Sequence, residues 1–219
     1  MSLQEQLSQQ KAAVVEQLPA DIVEVMVRNT QELLDSGIEE RAPKVGDQLA
    51  AFELPNQDGH TVKLAELLQQ GPVVVTFYRG GWCPYCNLEL RAYQQALPQI
   101  NASGATLVAI TPELPDQSLS TKEKNELEFQ VLTDKDATYA RELGLVFTLP
   151  EELRPIYQNF GIDVEQHNGE GQFDLPLAAT FVIGSDGNVA YAFATADYTQ
   201  RAEPSEVVQI LESLTSDVA

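Results

Sequence analysis

Only two cysteines occur in the 219-residue chain, and they stand three positions apart in Trp82-Cys83-Pro84-Tyr85-Cys86-Asn87. Cys-x-x-Cys spacing lets two sulfurs meet within one helical turn, so a disulfide can close and reopen by thiol exchange. The run Val73-Val74-Val75-Thr76-Phe77-Tyr78 before them is apolar and β-branched, and the run after them suits a helix. Pro84 fits the first helical turn, where its missing N–H would be unpaired anyway. Cys83 is then expected at the N-cap and Cys86 near the third helical position, both in the positive field of the helix N-terminus. That field favours the thiolate, the nucleophilic form of cysteine. On helix-end geometry Cys83 is the more exposed and less encumbered sulfur, and Cys86 resolves.

Two nearby side chains could serve this centre. Arg79, at the end of the apolar run, could lower a cysteine pKa or orient an oxyanion; a surface ion pair is the plain alternative. Glu89 lies one turn beyond Cys86 and could relay protons, or be an exposed helix carboxylate. A zinc site would need two more ligands. Only His60 and His167 are available, and both read as surface residues. No metal and no cofactor is expected.

The elements that must position these residues read as follows. Residues 2–37 carry two apolar stripes of helical spacing, Leu3, Leu7, Val14 and Leu18, then Ile22, Val25, Met26 and Leu33, broken at Pro19 and stopped at Gly37. They predict two helices, either packed on their own domain or serving as a homodimerisation arm. Arg41-Ala42-Pro43-Lys44 reads as a linker, which places an N-terminal helical extension over 1–42 and the main domain over 43–219. A short strand and helix at 61–68 precede the 73–78 strand, and the helix after Cys86 is expected to stop near Pro98. Thr106-Leu107-Val108-Ala109-Ile110-Thr111 is the kind of strand buried on both faces of a parallel sheet. A short helix within 113–128, a strand at 130–134 and a helix at 137–143 follow. Residues 149–173 read as an irregular inserted loop. Strands at 180–183 and 189–193 are joined by Gly184-Ser185-Asp186-Gly187-Asn188, a hairpin signal, and a helix over 205–214 closes the chain. This order predicts an α/β fold, a central mixed sheet flanked by helices.

The formal net charge is −20, from 33 acidic and 13 basic residues, a surface that repels nucleic acid and anionic membranes. No apolar run approaches the roughly 18 residues needed to span a bilayer, and the N-terminus lacks a signal-peptide pattern. A cytoplasmic protein is expected, which fits two cysteines used for chemistry and not for a disulfide scaffold.

In an α/β protein of this kind, Cys-x-x-Cys at a strand-to-helix junction points to a thioredoxin-like redox site. Val45-Gly46-Asp47, Phe52-Glu53-Leu54, Asp58-Gly59, Val62-Lys63-Leu64, the 73–78 strand and Thr180-Phe181-Val182-Ile183 resemble the peroxiredoxin-like (AhpC/TSA) family over about residues 45–214. That family carries Pro-x-x-x-Thr-x-x-Cys after Phe-Tyr. Laid on Phe77-Tyr78, the pattern puts Arg79 at the proline, Cys83 at the threonine and Cys86 at the peroxidatic cysteine. The family's later arginine falls at Ala178, and Arg201 is a candidate to stand in for it. Trp82 resembles the tryptophan beside thioredoxin cysteines, where the ring shapes a docking surface; simple packing is the alternative. The resemblance implies a thioredoxin-like fold and a thiol-dependent antioxidant that reduces peroxides through a Cys83/Cys86 dithiol–disulfide cycle. Its partners would be a peroxide or protein-disulfide substrate and a thiol reductant such as a thioredoxin or glutathione system. The pattern nominates Cys86 as the attacking sulfur where helix geometry nominates Cys83, and both remain open at this point. So do two other functions, a protein disulfide reductase without peroxidase activity and a non-catalytic redox-sensing module.

Overall fold

The structure, a computed structural model, describes residues 1–216. Its centre is a five-stranded sheet built from β3 (Val73–Phe77), β4 (Thr106–Thr111), β5 (Gln130–Thr133), β8 (Ala178–Ile183) and β9 (Val189–Thr195), in the order β5-β4-β3-β8-β9. β3 runs parallel to β4 and β4 to β5, whereas β8 is antiparallel to both β3 and β9. β3 is therefore central, with Val75 opposite Val108 on one side and Phe181 on the other. All five of its residues are buried, which is why its sequence reads as a continuous apolar run and not as an alternation.

Period-two side-chain direction divides the strands between two cores. Val74, Leu107 and Val182 face a layer made by α1 (Leu3–Gln17), α4 (Pro84–Ala102) and α9 (Pro204–Ser216), with Leu3, Leu7, Leu90, Tyr93, Val207 and Leu211 in one cluster. Val75, Phe77, Ile110 and Phe181 face the opposite side. There they meet α3 (Leu64–Leu68), α6 (Thr138–Glu142) and the segment carrying the small hairpin of β1 (Glu53–Pro55) and β2 (Thr61–Lys63). α5 (Pro115–Lys124) lies near β5 and ends in a Schellman motif, with the Leu127 N–H donating to the Lys122 carbonyl (3.0 Å).

The N-terminal stripes are buried against the chain itself. α1 supplies Leu3 and Leu7 to the core, and its Ser2/Glu5 capping box fixes where it starts. Ile22, Val25 and Met26 of α2 (Ala20–Asp35) pack on a cluster formed by α7 (Leu153–Asn159) and its neighbours. Three expectations need correction. Residues 149–173 are not an irregular loop: they hold α7 and α8 (Val164–Asn168), and β6 (Val146–Thr148) pairs with β7 (Asp174–Pro176) to close the segment. Short helices with Pro and Gly at their ends resemble loop in sequence, and here tertiary packing of Leu149, Leu153, Ile156 and Leu175 decides. α4 does not stop at Pro98 but continues to Ala102. Proline there costs one backbone hydrogen bond, and burial of Leu97 and Ile100 outweighs it. The expected linker is also packed, with a 3₁₀ turn at Ile38–Arg41 and Ala42 buried.

Candidate active site

Cys83 occupies the N-cap of α4 in extended conformation (φ −86°, ψ 116°), Pro84 begins the helix, and Cys86 lies one turn in. Nineteen aligned peptides stand behind the two sulfurs. The Cys83 N–H donates to the Gly80 carbonyl (3.0 Å), closing a tight turn between β3 and α4. That turn has no room for side chains. A Cβ at Gly81 would lie 2.0 Å from Thr121 Oγ1, and one at Gly80 would lie 2.2 Å from Trp82 Nε1.

Both thiols are free, and each has its own arginine. Arg79 Nη2 donates to Cys83 Sγ (3.5 Å), and Arg201 Nη2 donates to Cys86 Sγ (3.1 Å). The arginines differ in what else they touch. Arg201 Nε pairs with Glu89 (2.6 Å), and its Nη1 donates to the Tyr198 and Gln200 carbonyls. Among the described residues Arg79 has no carboxylate within ion-pair distance. Its Nη1 donates to Tyr157 Oη (3.3 Å), and its guanidinium sits 4.5 Å from the Tyr198 ring centre and 5.2 Å from that of Trp82.

These charges set the sulfurs apart. Burial pushes the Cys83 thiol up, but a hydrogen bond shared with Cys86 and the charges of Arg79 and Arg201 outweigh it and hold Cys83 well below the usual thiol range. Burial, with the hydrogen bond to Cys83 and the Cys83 charge, drives Cys86 well above that range. The shorter arginine contact is the one to Cys86, which by distance alone would favour the opposite order. Glu89 already neutralises most of the Arg201 charge, however, whereas that of Arg79 is uncompensated and falls on Cys83. Both directions make Cys83 the sulfur that ionises first, with Cys86 beside it the more basic thiol.

The structure thus brings together Cys83, Cys86, Arg79, Trp82, Glu89 and Arg201, and it corrects the setting of several. Cys83 is not exposed: both cysteines are at 0% accessibility. Arg79 is not a surface residue (4% exposed), and Glu89 is not an exposed helix carboxylate, being fully buried against Arg201 and Thr76. Burial raises the Glu89 pKa, and Arg201 opposes the rise. Trp82 is half-buried, edge-on to Tyr157 (5.7 Å), with its indole N–H unpaired. His167 is not a free surface histidine: its Nδ1 lies 2.9 Å from the buried Glu113. His60 stays on the surface and takes no part.

Sequence reasoning missed Glu113 and the aromatic cover. Glu113 accepts the Gly81 N–H (2.9 Å) and the hydroxyls of Tyr78 and Thr121 (both 3.2 Å), while Asn87 Nδ2 donates to the Gly81 carbonyl (2.7 Å). The peptide of Gly81, two residues before Cys83, is held from both sides. One signal was available: Glu113 follows the carboxyl end of a parallel strand, where α/β sheets place their sites. Nothing local marks Tyr157 or Tyr198, which meet Arg79 only through the fold.

This arrangement can be set beside known proteins. The AhpC/TSA family model matches residues 45–192. The chain belongs to the AhpC/TSA family. A putative peroxiredoxin of Mycobacterium tuberculosis strain H37Rv is 30% identical to this family member over 124 residues, 56% of this chain and 80% of that protein. Peroxiredoxin Bcp of Escherichia coli K12 is 25% identical over 150 residues, 68% and 85% respectively. The fold is that of peroxidoxin BcpB from M. tuberculosis (TM-score 0.61, 23% identity, 78% of this chain and 97% of that one). It is also that of the reduced 2-Cys peroxiredoxin of Plasmodium vivax (TM-score 0.61, 15% identity, 80% and 83%). This AhpC/TSA protein is therefore an enzyme, a thiol-dependent oxidoreductase of peroxiredoxin type on a thioredoxin-like fold. No helix of the described residues is long and apolar enough to cross a membrane.

Proposed function

We propose that the enzyme reduces peroxides with Cys83 as nucleophile and Cys86 as resolving thiol. The observation that carries this is the uncompensated Arg79 charge, 3.5 Å from a sulfur at a helix N-cap and beside a thiol that donates to it. Cys83 thiolate attacks the terminal peroxide oxygen; the S–O bond forms, the O–O bond breaks, and the alkoxide or hydroxide released takes a proton from water. Cys86 then attacks the sulfenic sulfur, displacing hydroxide, which leaves as water with the Cys86 proton. Two reductant thiols reopen the disulfide by exchange and leave as their own disulfide. Thioredoxin or glutathione is the expected source of those thiols. Arg79 and Arg201 stabilise the thiolate and the charge developing on the departing oxygen, and Glu89 holds Arg201 in place. Family matching from residue 45 supports reading residues 1–42 as an added helical segment on a domain of 43–219.

A second reading has Cys86 attack. It rests on the 3.1 Å Arg201 contact and on the place of Cys86 in the family pattern. Cys83→Ser and Cys86→Ser, each treated with peroxide and a sulfenic-acid trap, separate the two. The adduct is expected in Cys86→Ser alone. An adduct in Cys83→Ser alone would reverse the roles, and none in either, with no peroxide consumed by the unaltered enzyme, would leave disulfide reduction or redox sensing.

A further inference from the structure

The turn between β3 and α4 carries Arg79 near one end, Cys83 at the other and Gly81 in the middle. The 3.5 Å contact from Arg79 Nη2 to Cys83 Sγ therefore depends on the conformation of the peptides between them. What holds the middle is Glu113. Its Oε1 accepts the Gly81 N–H and lies 2.9 Å from His167 Nδ1, while its Oε2 accepts the hydroxyls of Tyr78 and Thr121. A carboxylate only accepts, so Nδ1 carries the hydrogen. Its acceptor positions thus meet donors from the residue after β3, the turn itself, α5 and α8. Glu113 is fully buried, and among the described residues its ion-pair partner is His167, whose ring is 21% exposed. A buried carboxylate is costly, and an apolar side chain would fill the space without that penalty. The main chain is tied down as well. The Glu113 N–H donates to Thr111 Oγ1 (3.3 Å), and the Leu114 N–H donates to the His167 carbonyl (2.7 Å). Tyr78 and Thr121 are buried, so the imidazole is where this hub meets solvent.

We propose that Glu113 is a positioning residue for the reaction: it fixes the turn that sets the Arg79–Cys83 contact, and His167 holds Glu113 in place from the solvent side. The proposal rests on the reading of Cys83 as the nucleophile. Position, not charge, is what Glu113 supplies. Glu113→Gln can keep all four bonds, because its oxygen accepts from Gly81 and His167 while its N–H groups donate to hydroxyls free to rotate. Glu113→Ala leaves the Gly81 N–H buried without an acceptor, and the turn relaxes. Cys83 then loses its arginine, whereas the closed site opens more readily. The two halves of the cycle respond in opposite directions: peroxide attack slows, and a reductant thiol gains access.

The test compares Glu113→Gln, Glu113→Ala, His167→Asn and His167→Ala in the full chain, with thermal unfolding as the check on folding. His167→Asn offers an amide N–H near the place of Nδ1. In Glu113→Ala the thiolate absorbance of the reduced protein should titrate at higher pH than in Glu113→Gln, which has lost the same charge. Its kcat/KM for hydrogen peroxide should fall about tenfold or more, and dithiothreitol should reduce its disulfide about threefold faster. His167→Ala should move all three readouts the same way by less, and the two conservative variants should recover the parent's values. A folded Glu113→Ala protein that titrates as the parent does overturns the proposal. So does a Glu113→Gln protein that fails as Glu113→Ala does, because charge is then the cause. If Glu113→Ala does not fold, the His167 variants decide, and a His167→Ala titration equal to the parent's overturns the proposal. If the unaltered enzyme leaves peroxide untouched, the peroxidase reading falls by itself, and the titration and the dithiothreitol rate still decide the role of Glu113.

Discussion

Replacing Arg201 by Met tests the electrostatics of the centre most directly, because Arg201 joins a buried carboxylate to a sulfur. Its side chain is 1% exposed and that of Glu89 is 0%, with 2.6 Å between them. Removing one partner of such a pair leaves the other buried and unpaired, at a cost of about 3–5 kcal/mol, against a total stability of about 5–15 kcal/mol for a whole domain. Glu89, already raised by burial, loses the charge that opposed the rise and takes up a proton. The double variant Arg201→Met/Glu89→Leu removes both charges and keeps the volume apolar, so stability should return to within about 2 kcal/mol of the parent. The dithiol should not recover, because the donor at 3.1 Å from Cys86 is gone and one of the charges favouring the Cys83 thiolate is gone with it. Its first ionisation should move to higher pH in both variants. Urea unfolding gives the stabilities, and thiolate absorbance of the reduced protein against pH gives the ionisation. A single variant as stable as the parent, or a double variant whose thiolate titrates as in the parent, would refute the assignment.

Three further outcomes are expected. Cys83 has a depressed pKa in the folded state, so the stability it contributes is fully present above the ordinary thiol value of about 8.5 and is lost as pH falls toward its folded value. Cys86 has a raised one, so its contribution is lost as pH rises above 8.5; the reduced protein minus its Cys83→Ser variant should gain stability with pH up to about 8.5, as read by urea unfolding. Gly81→Ala, whose new Cβ would meet Thr121 Oγ1 at 2.0 Å, should cost about 1–3 kcal/mol and slow peroxide turnover, because the Gly81 N–H is drawn off Glu113. Glu126 is exposed with φ 52° at the position after the C-cap of α5, where glycine is preferred, so Glu126→Gly should raise the unfolding free energy by about 1 kcal/mol without altering activity.

The sequence carried the redox centre because its signals are local. A β-branched run, a glycine turn, a proline at the first helical position and two cysteines three apart each constrain the same strand-to-helix junction, and agreement among them is itself informative. The two-faced burial of β3 and β4 was legible for the same reason: five and six apolar or threonine residues in a row leave no polar face. What stayed hidden is what the fold assembles from afar. Tyr157 and Tyr198 reach Arg79 across 78 and 119 positions, and no periodicity marks a tyrosine that will meet a buried arginine. The N-cap position of Cys83 argued for exposure on geometry that holds for an isolated helix end, whereas in the fold Cys83 is buried within the core cluster on the α1, α4 and α9 side of the sheet. Glu113 and His167, 54 positions apart, form a half-buried pair that their own neighbours do not announce.

The replacement of the family's residues then acquires a physical sense. The pattern places an arginine at Ala178, which here is buried in β8 opposite Thr195. The cation arrives instead from the loop after β9, as Arg201, and Arg79 brings a second where the pattern has proline. With Cys83 ionised, as proposed, the groups touching the sulfurs and their arginines sum to zero: two arginines against the Glu89 carboxylate and one thiolate. Closing the disulfide removes the thiolate but none of the others, so one positive charge is left buried, on Arg79. A buried unpaired charge is costly, which stabilises the dithiol relative to the disulfide and makes the pair a stronger oxidant, as holds for any dithiol whose reduced form is favoured. Without the thiolate, the remaining contacts of Arg79 are Tyr157 and the rings of Tyr198 and Trp82. A reductant thiol must reach a sulfur of a cysteine at 0% accessibility, so turnover requires the site to open.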